Sequence, residues 1–322
     1  MGTASLLSFV TVVLGFATCF AAIHIPLEPE IDPPEILSET GVLAENLVDY
    51  RINQALWVDF AAKKRRLFLP EGTQIQFSPT NSYQFPVGTV FVKHFEMEIS
   101  KGIFRNVETR VLVRKNGEPE KWVGYTYLWN GNDAKLVDGR SNPEVLLEID
   151  NSAPGGARAQ KFKVPSRRQC LQCHNESVGY VRSFNTRQLN REEQLDELNQ
   201  KNIFNQQLEP SAHYEKFAAI TDESIAQETR VRTYLDVNCS HCHNPGPAAM
   251  CNFTGLDFRY DYFSPEALVI SGHLTKGHAA DSAIFQRMSS VQQGIRMPFI
   301  GSALRDEAAL SVVEGWINSL HE

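Results

Sequence analysis

Two five-residue stretches constrain this chain more than any other feature: CLQCH at 170–174 and CSHCH at 239–243. Four of the six cysteines are spent on one pattern, used twice. In C-x-x-C-H the two thiols lie on one helical turn, so both can form thioethers with the vinyl groups of a single porphyrin. The adjacent histidine can then turn its imidazole to the iron as proximal ligand. Covalent attachment lets a segment with little core of its own hold a large planar group. Two rival uses of these residues fit less well. Paired zinc knuckles sit close together in sequence, and these motifs are far apart. A redox-active C-x-x-C expects a βαβ setting, which neither motif has. The expected cofactors are therefore two covalently attached haem c groups with their iron. Cys170, Cys173, His174, Cys239, Cys242 and His243 are the attachment and ligand residues.

The N-terminus and the charge balance narrow the setting. From Leu6 to Ala22 the chain is apolar or small, and Cys19 and Ala21 suit a signal-peptidase cut just after Ala21. Residues 1–22 read as an export signal, with an uncleaved membrane anchor as the rival fate. The protein is then expected to be exported, either periplasmic or extracellular. No Lys or Arg precedes Arg51, so the usual basic start of such a signal is missing. Beyond this segment only the two motif pairs and Cys251 remain, an odd count that does not make a disulfide framework. Cys251 reads as a buried free thiol. A net charge of −7 argues against a nucleic-acid partner and leaves redox proteins as the expected partners. No integral membrane domain is expected beyond that N-terminal segment.

Four segments follow from the texture of the chain. After the signal, residues 23–165 form a β-rich domain, entered through a Pro-rich acidic strap, IHIPLEPEIDPPE. FPVGTVFVKHFEMEI (85–99), NVETRVLVR (106–114) and WVGYTYLWN (122–130) carry Val, Thr, Tyr, Phe and Trp with partial alternation, so six to eight antiparallel strands are expected. Asn116-Gly117 and the stretch Asn130 to Asp133 are turn signals. Residues 166–220 form a first haem segment, where KVPSRRQC reads as extended and 185–204 as a helix burying Leu189, Leu195 and Leu198. Residues 221–322 make the last unit. Its helices are expected at 221–239, capped by Thr221 or Asp222, and at 304–320, where Leu310, Val313, Trp316, Ile317 and Leu320 trace one apolar stripe. The fold class is α+β, β-rich domain first and α-helical haem-binding segments after.

The second motif has the fuller context. A helix runs into Cys239, another closes the chain, and GIRMPFIG lies between them. Met297 in that loop is placed to be the distal iron ligand, since His/Met ligation closes the sixth position and raises the potential. Met288, at helical spacing in FQRMSS, reads as core, and Met250 is too near the motif to cross the porphyrin face. For the first motif the sixth ligand stays open among His213, His94, Met97 and none at all. The basic run Lys63-Lys64-Arg65-Arg66 could meet haem propionates or a partner, but reads first as a solvated face.

From Asn53 onward the chain resembles an uncharacterised family of bacterial dihaem c-type cytochromes, built from a β-rich domain followed by two CxxCH segments. The resemblance rests on WVDFAAKKRRLFLPEGTQI, FPVGTVFVKHF, VETRVLVR, WVGYTYLWN, VPSRRQCLQCH, TRQLN, YLDVNCSHCHNPG and RMPFIG, in that order. The part from about Thr221 is similar to a class I cytochrome c domain. That likeness implies His243 and Met297 as an axial pair, and Tyr234 packed near Trp316 where the first and last helices cross. Export and electron transfer between redox partners are what the resemblance implies. The alternative is a haem enzyme in the manner of dihaem peroxidases, with an open iron at His174.

Overall fold

A computed structural model describes residues 23–44, 47–117 and 120–321; the expected export signal lies outside them. The Val-, Thr- and aromatic-rich stretches pair as an antiparallel meander. Its strands are β1 (Val48–Asp49), β2 (Ala62–Phe68), β3 (Val90–Ser100), β4 (Ile103–Lys115), β5 (Lys121–Asn130) and β6 (Asp133–Leu136), each paired to the next. A separate hairpin, β7 (Glu144–Ile149) and β8 (Arg158–Lys163), follows. The β5–β6 turn needs Gly131, whose φ of 66° suits a residue without a Cβ.

Strand alternation gives the meander two unlike faces. Val90, Val92, Val111, Val113, Tyr125 and Tyr127 point to one side and pack with Ile25, Leu37 and Val42 of the Pro-rich entry segment. That segment is fastened along its length. Asn116 N–H donates to Leu27 O (3.0 Å), the Tyr127 hydroxyl to Pro34 O (2.9 Å), and the Lys115 ammonium to Pro26 O. The other face looks towards the helices.

The chain then changes to helix: α1 (Arg167–Cys173), α2 (Thr186–Leu189), α3 (Gln194–Gln200), α4 (Gln227–Cys239), α5 (Pro265–Ile270), α6 (Ala283–Ser289) and α7 (Glu307–Ser319). The architecture is α+β. Three helical expectations need correction. The stretch before Cys170 is extended only as far as Ser166, because Ser166 and Gln169 form a reciprocal capping box that starts α1 at Arg167. The expected helix over 185–204 is two. Asn190 ends the first, its amide donating to Ser211 O (3.0 Å) and Tyr214 O (2.7 Å), and Glu192 sits at a positive φ of 48°. The helix into Cys239 begins at Gln227, since Asp222 spends its carboxylate on Ser224 instead of on a cap.

The C-terminal helix starts at Glu307, with Asp306 accepting from Ala309 N–H (3.1 Å). Leu310, Val313, Trp316 and Ile317 are buried, and Trp316 shares a core with Tyr234 of α4. The two helices cross closely at Gly315, where a Cβ would stand 2.9 Å from Gln227 Nε2. Among the described residues no helix is long and apolar enough to cross a membrane.

Candidate cofactor sites

Each motif borders its own cavity, and the two cavities touch. The first encloses about 1390 Å³ including its mouth, between α1 and the helix-side face of the meander, and Cys170, Cys173 and His174 line it. The second, about 1160 Å³, is lined by Cys239, Cys242, His243 and Met297. Cys173, His241, Pro298 and Ile300 border both. At that junction Cys173 and Cys242 influence one another, which pulls the Cys173 thiol below its usual range and pushes that of Cys242 up.

Local structure fixes the first motif against the sheet. α1 lies on β5, and Gly124 makes this possible: a Cβ there would stand 3.1 Å from the Cys170 Cβ. His174 caps α1, and its Nδ1 lies 2.6 Å from Tyr180 O, so Nδ1 carries the proton and Nε2 keeps the free lone pair. Burial and then the Lys93 charge push this imidazole down to about 4, so it is neutral, as a metal-binding histidine must be. The two motifs are also tied to one another. Asn175 Nδ2 donates to His241 O (3.1 Å), and Arg182 donates to Asp236 O (2.8 Å) and to Ser240 Oγ (2.7 Å).

The sheet wall of the first cavity is unusual for a protein interior. Register aligns Arg65 on β2, Lys93 on β3 and Arg110 on β4 as direct cross-strand neighbours. On the same face the row to one side is apolar, Leu67, Phe91 and Leu112, and the row to the other is Lys63, Phe95 and Glu108. Like charges directly opposite one another are destabilising, and more so when desolvated. Lys63 and Arg182 join the lining, and among the described residues no carboxylate does. Arg110 is neutralised by buried Glu108 behind it, and Lys63 donates to Leu56 O. Arg65 is only 9% exposed, and its Nε, like that of Arg110 and Arg182, has no hydrogen-bond partner among the described residues. Burial, and then its arginine neighbours, lower Lys93 to about 7. A wall with surplus cations and unused donors fits a ligand carrying carboxylates, which a haem does through its two propionates. The basic run thus divides by strand parity. Lys64, 67% exposed, and Arg66 face away, whereas Lys63 and Arg65 face the cavity, so the solvated-face reading fails for half of it.

In the second cavity the wall is largely apolar, with Leu256, Phe258, Ile284, Phe299 and Ile300, and with Arg287 as its cation. The His243 imidazole is half-buried, pushed down to about 4 by desolvation, and packs edge-on against Phe258 at 5.5 Å. Its Nδ1 lies 3.3 Å from Thr254 Oγ1. Both Met297 and Met288 line this cavity, so burial alone does not separate them. The Met297 loop is the more specifically held. Met297 N–H donates to Arg287 O (2.9 Å), and further along the Asp59 carboxylate accepts from Ala303 and Leu304 N–H (2.8 and 2.9 Å). Cys251 is free and buried at the edge of the same cavity.

None of His94, Met97 and His213 reaches the first cavity. His94 faces the opposite side of the sheet and bonds Thr109 (2.8 Å), Met97 is buried under the β7–β8 hairpin, and His213 is on the surface. The residues that do line it and were not singled out are Lys93, Arg110 and His241. Strand parity could have found the first two, because each is a charge flanked at i ± 2 by at least one residue of the buried face. Among the described residues no three His, Cys, Asp or Glu side chains gather as a metal site; a haem iron asks the protein for axial ligands only. Comparison with family models, with curated proteins and with solved structures finds no match in any of the three.

Proposed function

We propose that the protein is an exported electron-transfer protein holding two covalent haem c groups, one on Cys170 and Cys173 with His174 as axial ligand, the other on Cys239 and Cys242 with His243 and Met297. The observation that carries this reading is the pairing of each C-x-x-C-H with a cavity of its own, the two meeting at Cys173 and Cys242. When bound, the haems supply one-electron chemistry at iron. The residues of the chain orient the groups and set their potentials. His174 and His243 each keep one nitrogen for iron. The cationic wall takes the propionates of the first haem, and Met297 closes the second. Cys173 borders both cavities, so haems held there would lie near one another and electrons would have a short path between them. Phe253, 82% exposed, and Phe299 reach from the second cavity to solvent, which makes that rim the natural meeting point with a redox partner.

A second reading, a haem oxidoreductase in the manner of dihaem peroxidases, draws on the first cavity having no methionine in its lining. One experiment separates them. The protein is produced in a host that matures haem c, its haem content is measured, and the reduced spectrum is recorded with and without carbon monoxide. Two haems that ignore carbon monoxide are expected. A response from half the haem would favour the enzyme, and absence of covalent haem would end both readings.

A further inference from the structure

We propose that the ε-amine of Lys93 is the second axial ligand of the iron held by His174. This deepens the reading above and rests on it. The argument starts from the cross-strand row of Arg65, Lys93 and Arg110, which spans three adjacent strands about 4.8 Å apart. One end of that row is fixed by α1. Cys170 sits against Gly124 on β5, the next strand beyond Arg110, so the thioether edge of the macrocycle belongs at the β5 side. In a haem the propionates lie on the edge away from the thioethers and the iron lies between. Read across the sheet from β5, the interior position falls to Arg110 and Lys93, and the far edge to Arg65 with Lys63 beside it on β2.

Chemistry then chooses between the two interior residues. A guanidinium stays protonated and has no lone pair to give, and that of Arg110 is already paired with Glu108. A lysine amine has a lone pair once its proton is gone, and burial favours that neutral form. Among the described residues the Lys93 side chain makes no hydrogen bond, unlike Lys63, and Glu108, the buried carboxylate in the next row of that face, is bound to Arg110 instead. Lys93 and His174 also line the same cavity, one from the sheet wall and the other from the end of α1. The one other imidazole lining the cavity, His241, is in contact with Cys173 at the thioether junction and not at the middle of the sheet wall.

The test uses the full-length protein carrying its haems, with haem content measured on every sample. In the wild-type protein the ferric spectra, by electron paramagnetic resonance and near-infrared magnetic circular dichroism, are expected to show one His/Met haem and one low-spin haem with two nitrogen ligands. Lys93→Ala should keep two haems per chain but turn half of them high-spin and open to carbon monoxide, and added methylamine should close that half again. Lys93→Met should restore a low-spin site with a second sulfur-to-iron charge-transfer band and a raised potential for that haem. The inference is overturned if Lys93→Ala leaves both haems low-spin and closed, or if half the haem of the wild-type protein already binds carbon monoxide. It falls together with the function proposed above if no covalent haem is present, an outcome that the haem content distinguishes from the other two.

Discussion

Asp59 offers the sharpest test of how the β-rich part governs the second site. Its carboxylate is 2% exposed and accepts from Ala303 N–H at 2.9 and 2.8 Å through its two oxygens, and from Leu304 N–H at 2.9 Å. These contacts, with Trp57 Nε1 donating to Leu304 O (2.9 Å), hold down the far end of the loop that starts at Met297. Hydrogen bonds to a charged group contribute about 1.5–3 kcal/mol each, so two amides losing theirs gives a gross cost of roughly 3–6 kcal/mol. Burial opposes part of that gain, since desolvation is the largest influence on the Asp59 carboxyl and raises its pKa. We therefore expect Asp59→Ala to cost a net ~2–3 kcal/mol in loop docking, a roughly 30- to 150-fold rise in the undocked population. Hydrogen exchange at the Ala303 and Leu304 amides reads this directly, and the sulfur-to-iron charge-transfer band reads its effect on Met297. Asp59→Asn, which keeps one acceptor oxygen, should fall between the variants. Unchanged exchange at both amides in Asp59→Ala would show that the carboxylate does not hold the loop.

Other perturbations reach the remaining parts. Gly124→Val should push α1 off β5 at a cost of about 1–3 kcal/mol for overpacking, and halve the covalent haem by sparing only the second site; two haems in the purified variant would contradict the packing argument. Met297→Ala should open one haem to carbon monoxide and lower its potential, measured by redox titration, while leaving the haem content at two. The Ser38 hydroxyl donates to Asp133 (2.5 Å) and holds that carboxyl below its ordinary value. The group is largely solvated, so its contribution is below ~1 kcal/mol. It is present above the unfolded carboxyl value and lost as pH falls through the lower folded one. Asp133→Asn should thus be slightly less stable than wild type to urea at neutral pH, with the gap closing in acid.

Much of the sheet was legible because alternation and turn chemistry agree: the valines of β3 and β4 share one face, and Asn116-Gly117 and Gly131 stand at the reversals. Helix boundaries were harder where polar side chains found partners far away in sequence. Asn190 bonds backbone near Tyr214, and no local pattern announces that a helix stops for it. The start of α1 was visible as Ser166-x-x-Gln169, but a helix this short buries too little to show periodicity. The motifs declared the candidate attachment residues, whereas the wall of the cavity that His174 lines comes from three strands whose register only the fold supplies. Lys93 looks like an ordinary surface lysine until its neighbours Phe91 and Phe95 are seen to face inward with it.

Under the proposed function, the proximity of Cys173 and Cys242 at the junction has a consequence for the order of biogenesis. In an oxidising compartment, Cys173 and Cys242 in a chain that folded before receiving its haems could give up two electrons and two protons to the local oxidant and join as a disulfide. That bond would remove one attachment sulfur from each motif at once. The native arrangement is therefore a trap for its own precursor. On that reading the chain gains by staying open, or by being kept reduced, until its thioethers have formed, after which the two sulfurs can no longer join. Assembly of the two centres is coupled through time as well as through space.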